Sequence, residues 1–279
     1  MRCVLLHYHI LKNGGMTIEA ILDRSFGDRF SKIETAERDG HVLDATLLSA
    51  LKCNPDVRAV SSHQIRYPVP AVPGFLFFDL CFLRDPIDRI RSMYDYFREK
   101  PSPGDPVSDF AHQYPMGGFI ERLIQEMPWY INDPQVNLLA NGIANDCPQA
   151  QDLEPAIARI MRCSFPGVVD SFTESLIAGQ HFLKPVFPEL DCAEPAVNVS
   201  GGLGGTLQER VRKVRDACST RTYAELLRLS AMDLELLHRA RAEVERRYQL
   251  VPSEQAQTLR SRFENTGTRA RENPRSMMV

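Results

Sequence analysis

The feature that most constrains the fold is a short apolar segment followed directly by a glycine turn and a helical pattern. Residues 2–10, RCVLLHYHI, form a run of apolar and β-forming residues that is short enough for a buried strand. Residues 11–26 contain Gly14 and Gly15 and then place apolar residues at helical spacing. The turn between strand and helix exposes amide groups at the positive end of the helix dipole. The sequence therefore predicts a P-loop-like phosphate-binding strand-loop-helix.

Alternating strand and helix patterns continue along the chain. The further strands are predicted at 57–63, 74–86 and 165–172. The further helices are predicted at 42–52, 87–99, 119–129, 134–144, 153–163, 173–184 and 223–250, the last broken near Ser230. This alternation is typical of an α/β protein. We expect a three-layer α/β/α fold with a central parallel sheet.

Three segments fall outside this alternation. Residues 100–118 carry four prolines and three glycines and predict a long irregular loop, and loops of this length in compact domains are usually functional or mobile. The glycine-rich residues 198–206, NVSGGLGGT, predict either a flexible cover or a linker. The polar residues 252–279 predict a flexible tail. We therefore expect one domain over residues 1–251, followed by that C-terminal tail.

The composition bears on partners and location. The formal net charge of −3 over 279 residues gives no general reason to expect nucleic acid as a partner. The sequence has no apolar run long enough for a transmembrane segment and opens without a secretory signal. The seven cysteines include no C-x-x-C pair and are typical of reduced thiols. These features favour a cytoplasmic protein, and the oligomeric state stays open.

Two groups of residues can bind phosphate. Lys12 and Thr17 add a charge and a hydroxyl to the glycine turn, but the lysine precedes the glycines. The loop of nucleoside triphosphatases requires the opposite order, G-x-x-x-x-G-K-[ST]. Arg84 ends the strand predicted at 74–86, and Ser92 follows eight residues later, so the two can hold a second phosphate. The alternative is that Arg84 pairs with Asp85 or Asp88 at the start of a helix.

These residues resemble a known family. The segment HILKNGGMT at 9–17 is similar to the H-x-x-K-x-G-G-[TS]-[ST] loop of sulfotransferases that use 3′-phosphoadenosine 5′-phosphosulfate (PAPS). The segment LRDPIDRIRSMYDYF at 83–97 resembles their L-R-[DN]-P-x-x-R-x-x-S-x-Y motif. The likeness is greatest to the branch with carbohydrate 2-O- and 6-O-sulfotransferases and their smaller bacterial relatives. It extends more loosely over residues 2–250.

The resemblance implies the roles of the site residues. The loop backbone would hold the 5′-phosphosulfate through the residues Asn13, Gly14, Gly15, Met16 and Thr17. Lys12 would stabilise the charge on the bridging oxygen, and Arg84 and Ser92 would hold the 3′-phosphate. Asn13 and Met16 stand where the motif has hydroxyl residues, and neither change removes a backbone donor. No metal is expected, because the sequence offers no clear cluster of metal ligands.

Sulfuryl transfer to a hydroxyl requires a base, and histidine suits this role near neutral pH. The family has a base histidine between the two phosphate motifs, after a strand, and His63 occupies that position. His41 is the alternative if the strand at 57–63 is absent. We expect His9 to orient the loop and His7 to be a core residue of the first strand.

The resemblance implies a PAPS-dependent sulfotransferase that acts on a hydroxyl acceptor and releases adenosine 3′,5′-bisphosphate (PAP). A carbohydrate, a glycolipid or a small metabolite is compatible with the sequence. Two other functions stay open. One is a nucleotide-dependent phosphotransferase or kinase with a variant phosphate loop, and the other is a catalytically silent nucleotide-binding protein.

Overall fold

The computed structural model describes residues 1–36, 40–140, 142–192 and 205–272, with the last nine of these as backbone only. The strands are β1 (Arg2–Tyr8), β2 (Phe30–Lys32), β3 (Ala59–Ser62), β4 (Phe75–Leu83) and β5 (Phe165–Val168). The helices are α1 (Gly15–Phe26), α2 (Asp44–Cys53), α3 (Pro86–Glu99), α4 (Pro106–Gln113), α5 (Met116–Glu126), α6 (Pro134–Leu139), α7 (Leu153–Arg162), α8 (Phe172–Leu183), α9 (Leu207–Ala217), α10 (Thr220–Leu229), α11 (Ala231–Gln249) and α12 (Ser253–Glu272).

All strand pairs of the sheet are parallel, and the strand order is β2-β3-β1-β4-β5. The first strand therefore lies in the middle, between β3 and β4, and the chain adds strands first on one side of it and then on the other. The prediction of an α/β fold with a central parallel sheet is confirmed. At such a reversal of strand addition, parallel sheets open a crevice beyond the carboxyl ends of their strands.

Helices cover both faces of the sheet, which gives the three layers. On one face Leu6 and Tyr8 pack in one apolar cluster with Leu47 of α2 and residues of α6, α7 and α11. On the other face Leu5 packs with Ile21 of α1 and with residues of α8. Because successive side chains of a strand point to opposite faces, the continuous apolar run of β1 is buried on both sides.

A separate apolar cluster, here called the helical cluster, is formed by α3, α4, α5, α9 and α10 without any strand. Its buried residues include Ile90 and Met93 of α3, Phe119 of α5 and Leu226 of α10. The helix α3 thus contributes to two parts of the molecule. Its first residues follow β4 at the sheet edge, and its later residues pack in the helical cluster.

The prediction of an irregular loop at 100–118 is wrong for most of these residues. Residues 106–113 form α4, and α5 begins at Met116. Pro106 occupies the first turn of α4, where a missing amide hydrogen costs nothing, and Asp105 caps the helix by accepting a hydrogen bond of 3.0 Å from the Val107 amide. The prolines therefore mark helix starts instead of excluding helices.

The C-terminal segment also differs from the expected flexible tail. Residues 253–272 form α12, and Ala256 and Leu259 are buried with Val251 against Ile177 of α8. A few apolar residues at helical spacing are enough to dock this otherwise polar helix. The division into a domain at 1–251 and a tail stays a prediction. Most of the predicted loop at 198–206 lies outside the described residues.

The break predicted near Ser230 is confirmed, since α10 ends at Leu229 and α11 begins at Ala231. Among the described residues, no helix combines the length and the apolar character that crossing a bilayer requires.

Candidate functional site

Three adjacent strands of the sheet end at residues that the sequence marked. The strands β3, β1 and β4 are directly followed by His63, His9 and Arg84. The register aligns Tyr8 with Ser62 on one side and with Cys81 on the other. Because the strands are parallel, their carboxyl ends meet at one edge, and the predicted loop and base lie there together.

The backbone of the glycine turn leaves few amides open for an anion. The Asn13 amide donates to the Ile10 carbonyl at 3.2 Å, and the Thr17 amide donates to the Gly14 carbonyl at 3.0 Å. Among the described residues, the amides of Gly14, Gly15 and Met16 have no hydrogen-bond acceptor. The part of the predicted cradle that offers backbone donors is therefore the first helical turn and the residue before it.

Each of the two positions in the turn requires glycine for a different steric reason. Gly14 has a φ of 78°, a left-handed conformation that glycine adopts without strain. At Gly15, an added Cβ would lie 2.0 Å from ring atoms of His9. The His9 imidazole therefore rests directly on the backbone at Gly15, so the prediction that His9 orients the loop agrees with this packing.

Lys12 lies on an aromatic ring in this structure. Its Nζ is 4.0 Å from the ring centroid of Tyr96 on α3, an arrangement typical of a cation–π contact. Desolvation and the nearby charge of Arg84 lower the pKa of Lys12 to about 8. The Lys12 side chain is thus fixed beside the loop, and its ammonium group loses a proton more readily than that of a solvated lysine.

Arg84 connects the loop to α3. Its Nη1 donates to the Lys12 carbonyl at 3.0 Å, and its Nε and Nη2 donate to Asp88 Oδ2 at 2.8 and 2.6 Å. The ion pair with Asp88 that was the alternative for Arg84 is therefore present. Arg84 is buried, and most of its donors are engaged within the protein.

Asp88 collects further guanidinium groups. Arg91 Nε and Arg210 Nε, the latter from α9, donate to Asp88 Oδ1 at 3.0 and 2.9 Å. Burial opposes ionisation, but Arg84 and these two groups hold the pKa of Asp88 below its ordinary value. Arg91 and Arg210 also pair with Asp95 and Asp170, so these guanidiniums belong to an ion-pair network at this edge of the sheet.

Ser92 lies in a row of side chains on α3. Asp88, Ser92 and Tyr96 are spaced four residues apart, so they lie along one helix face. Asp88 contacts Arg84, and Tyr96 contacts Lys12. Ser92, which is half-buried, therefore falls between the points where α3 meets the two predicted phosphate-binding residues.

His63 is exposed and is attached to the loop. Its Nδ1 is 2.7 Å from the His9 carbonyl oxygen, and its ring stacks on the His9 ring with centroids 3.8 Å apart. Its amide donates to Glu34 Oε1 at 2.8 Å. Desolvation by the surrounding atoms and the adjacent His9 lower the pKa of His63 to about 4. The imidazole is therefore neutral at pH 7, as a base must be.

His41, the alternative base, is engaged elsewhere. Its Nε2 accepts a hydrogen bond of 3.4 Å from the Ala144 amide. Because that contact uses the lone pair of Nε2, it leaves Nδ1 as the protonated nitrogen and counts against a role in proton abstraction.

Beneath the loop, three side chains come close enough for a metal ion to be considered. Among the described residues, the possible ligand atoms of His7, His9 and Glu19 lie within 4.8 Å of one another, although the sequence indicated no metal cluster. The Glu19 carboxylate, however, already pairs with Lys32 Nζ at 2.5 Å and accepts from Ser61 Oγ at 2.9 Å. A neighbouring ammonium opposes a cation, so this group reads as an ion-paired hydrogen-bond network.

The Asn13 side chain points into the protein, away from the loop surface. Its Nδ2 donates to the Phe82 carbonyl and to Gln135 Oε1, each at 2.8 Å. Gln135 also accepts from the Arg84 amide at 2.9 Å and donates to the Arg84 carbonyl at 2.9 Å. The residue that replaces the hydroxyl of the family motif is thus a structural link between the loop and the end of β4.

Apart from Asp88, sequence reasoning missed the residues that support the predicted ones, namely Glu19, Lys32, Ser61, Tyr96, Gln135 and Arg210. One of them carried a signal. Glu19 lies next to Ile18 on the apolar face of α1, where a carboxylate is unusual unless it is paired. For Gln135 and Arg210 no spacing points to a partner, because their contacts join distant segments.

A groove elsewhere shows no link to this site. It measures about 780 Å³, lies between α5 and α10, and is lined by Glu121, Ile124, Gln125, Ser219, Arg221, Thr222, Ala224, Glu225 and Arg228. None of these residues contributes to the loop edge of the sheet.

Comparisons with known proteins do not assign this chain to a family. No protein-family model matches the chain. A protein of Archaeoglobus fulgidus, described as uncharacterized, is 27% identical over 240 residues, which cover 84% of this chain and 94% of the relative. The similarity therefore spans nearly the whole relative, and its description adds nothing about activity.

Proposed function

We propose that this chain is a PAPS-dependent sulfotransferase that transfers a sulfuryl group to a hydroxyl of a carbohydrate or a small-molecule acceptor in the cytoplasm. One observation carries the proposal. The loop segment from His9 to Lys12 accepts hydrogen bonds at both ends, from His63 Nδ1 at 2.7 Å and from Arg84 Nη1 at 3.0 Å. Two residues from distant parts of the sequence, the candidate base and the candidate phosphate ligand, are thus fixed to the same short loop.

The donor would lie along the loop and α3. The open amides of Gly14, Gly15 and Met16 would hold the 5′-phosphosulfate. The Lys12 ammonium group would move from the Tyr96 ring to pair with the negative charge of the phosphosulfate. A cation–π contact is worth about 0.5–1 kcal/mol at exposed sites and about 2 kcal/mol when desolvated, and a charge-assisted hydrogen bond to a phosphate would offset its loss. The 3′-phosphate would lie near Ser92 and the guanidinium groups around Asp88.

The transfer step uses the neutral imidazole. The acceptor oxygen forms a bond to sulfur as the bond from sulfur to the 5′-phosphate oxygen of PAPS breaks. The acceptor proton moves to Nε2 of His63, and the electron pair of the broken bond stays on the phosphate oxygen of PAP. Lys12 stabilises that developing charge, which is the electrostatic part of catalysis.

Calorimetric titration tests the donor. We expect PAP to bind without magnesium and to bind more tightly than ATP with magnesium. Preference for magnesium–ATP, with no binding of PAP, would instead support a phosphotransferase and contradict the proposal. Tight PAP binding without release of PAP from PAPS, across a panel of phenol and sugar acceptors, would support a silent nucleotide-binding protein.

The base is tested with His63→Ala. Loss of a positioned base costs a factor of roughly 10²–10⁴ in rate, so we expect turnover of PAPS to fall by about that factor. PAP affinity is expected to change little, because the hydrogen bond and the ring stack of the His63 side chain are with His9 and not with the open amides of Gly14, Gly15 and Met16. His41→Ala is the matched control and should keep turnover. The reverse result would assign the base to His41.

A further inference from the structure

Three histidine rings are stacked beside the phosphate loop. The ring centroids of His7 and His9 are 5.2 Å apart, and those of His9 and His63 are 3.8 Å apart, with interplanar angles of 22° and 29°. His7 and His9 are buried, whereas His63 is exposed. The proposed base is therefore the outer ring of a stack, and its orientation depends on what holds His9.

The hydrogen bond of His63 determines where its proton lies. Nδ1 faces the His9 carbonyl oxygen at 2.7 Å, and a carbonyl can only accept, so Nδ1 carries the proton. A neutral imidazole has a single N–H, so Nε2 keeps its lone pair. This tautomer is the one that a base acting through Nε2 requires.

His9 is held by a buried carboxylate. Its Nδ1 lies 2.8 Å from Glu19 Oε1, which also accepts from Ser61 Oγ, while Lys32 Nζ binds Glu19 Oε2 at 2.5 Å. Burial favours the neutral acid, but the hydrogen bonds from His9, Lys32 and Ser61 together lower the pKa of Glu19 well below its ordinary value. Glu19 is therefore anionic and fixes His9 as the Nδ1–H tautomer as well.

The opposite edge of the His9 ring has no room to move. It lies on the backbone of Gly15, where even a Cβ would be 2.0 Å from the ring atoms. His9 is thus clamped between the Glu19 carboxylate on α1 and the glycine turn. The charged groups around His63 are Glu19 and Lys32 beyond His9, Glu34, which accepts its amide hydrogen, and Arg66, whose Nη1 donates to the His63 carbonyl at 2.9 Å.

We propose that Glu19 and His9 are positioning residues for His63. The carboxylate fixes the His9 ring and main chain, the His9 carbonyl fixes the Nδ1–H tautomer of His63, and the Nε2 lone pair is thereby kept for the acceptor hydroxyl. This inference rests on the proposed function, in which His63 is the base. Glu19 touches neither donor nor acceptor and acts through His9 alone.

The wild-type protein provides the first test. Nitrogen-15 labelling of histidine, with the His63 signals identified by their loss in His63→Ala, reports which ring nitrogen carries the proton. We expect the Nδ1–H tautomer for His63 near pH 7. The Nε2–H tautomer would overturn the inference, whatever the behaviour of any variant.

The variant Glu19→Gln provides the second test. The amide offers one acceptor oxygen to three donors, so His9 loses its fixed partner, and we expect a mixture of His63 tautomers. Turnover of PAPS should fall about tenfold or more, within the range for a mispositioned base, while the Kd for PAP changes less than about threefold. Glu235→Gln, which removes an exposed carboxylate paired with Arg239, is the matched control.

The two proposals fail in different ways. An unchanged His63 tautomer in Glu19→Gln would overturn the positioning role even if PAP binds as expected. Failure of the wild-type protein to bind PAP would contradict the proposed function. The tautomer of His63 is measured without any nucleotide, so that result does not depend on whether PAP binds.

Discussion

Lys12 has its backbone and its side chain fixed by different partners. Its φ of 67° is left-handed, a conformation that costs a residue other than glycine roughly 1–2 kcal/mol. That turn directs its carbonyl to Arg84, whereas its ammonium group rests on Tyr96. The loop can therefore keep its shape while the side chain moves from the ring to a bound anion.

The charge of Lys12 predicts a pH dependence of donor binding. Its pKa is lowered to about 8, so the free protein loses this charge as the pH rises through that value. PAP affinity should therefore fall between about pH 7 and pH 9.5, whereas Lys12→Arg, whose guanidinium stays charged, should bind PAP equally well across this range. Calorimetric titrations at several pH values measure this. The same fall in Lys12→Arg would assign the titration to another group.

At the scale of elements, Gln135 joins three parts of the chain. From α6 it hydrogen-bonds Asn13 of the loop and the main chain of Arg84 beyond β4, and its Nε2 also donates to Asp233 of α11 at 3.1 Å. Each of these groups is buried. The loop is therefore held from below by one side chain, which explains why an asparagine suits position 13.

Removing Gln135 should lower stability measurably. Gln135→Leu has similar volume but leaves the Asn13 amide and both main-chain groups of Arg84 without this partner. At roughly 1–3 kcal/mol for each buried unsatisfied group, we expect the free energy of unfolding to fall by about 3 kcal/mol. Gln125→Leu, at an exposed position of α5, should change it by less than about 0.5 kcal/mol. Urea unfolding compares the two, and equal effects would contradict the role of Gln135.

The elements were predictable where apolar periodicity controls them, and less so elsewhere. The strands that became β1, β3, β4 and β5 and the helix α3 came from that pattern. The strand β2 has three residues, which are too few to show an alternating apolar pattern. The prolines of 100–118 led to the prediction of a loop where α4 forms. At the site, loop and strand-end residues were found because their types carry chemistry. The contact of Arg210 with Asp88 spans 122 positions, and no local pattern encodes such a pairing.

At the scale of the whole molecule, two acidic residues join the helical cluster to the sheet layers. The Asp133 amide donates to the Leu229 carbonyl at the end of α10, and Asp133 Oδ1 accepts from the Asp233 amide of α11 at 2.7 Å. Asp233 Oδ1 in turn accepts from the Val136 amide at the start of α6 at 2.8 Å. The junction of three helices therefore depends on two buried carboxyl groups that lie close together.

This junction predicts how stability changes with pH. Burial and the nearby Asp233 raise the pKa of Asp133 to about 7, above its value of ~4 in the unfolded chain. The folded protein thus binds more protons than the unfolded one between these values, so the contribution of Asp133 to stability is full below pH ~4 and is lost as the pH rises to about 7.

Asp133→Asn should remove that contribution, because an asparagine does not titrate. We expect the stability of the variant relative to wild type to increase as the pH rises from about 5 to 8, as measured by urea unfolding at each pH. Asp216→Asn, an exposed position beside Arg215, is the control and should follow the wild-type curve. Parallel curves for Asp133→Asn and wild type would show that another group dominates.

The central place of β1 has a consequence for synthesis of the chain on the ribosome. This strand is made before both of its neighbours, and β4, which pairs along its whole length from Arg2 to Tyr8, ends only at Leu83. Until then one edge of β1 has no strand partner, although α1, α2 and β3, which pack on β1 or pair with it in the finished sheet, are already made. The nascent chain therefore carries an incompletely paired apolar strand while α1, β2, α2 and β3 are made, and β1 is most open to non-native association during this interval.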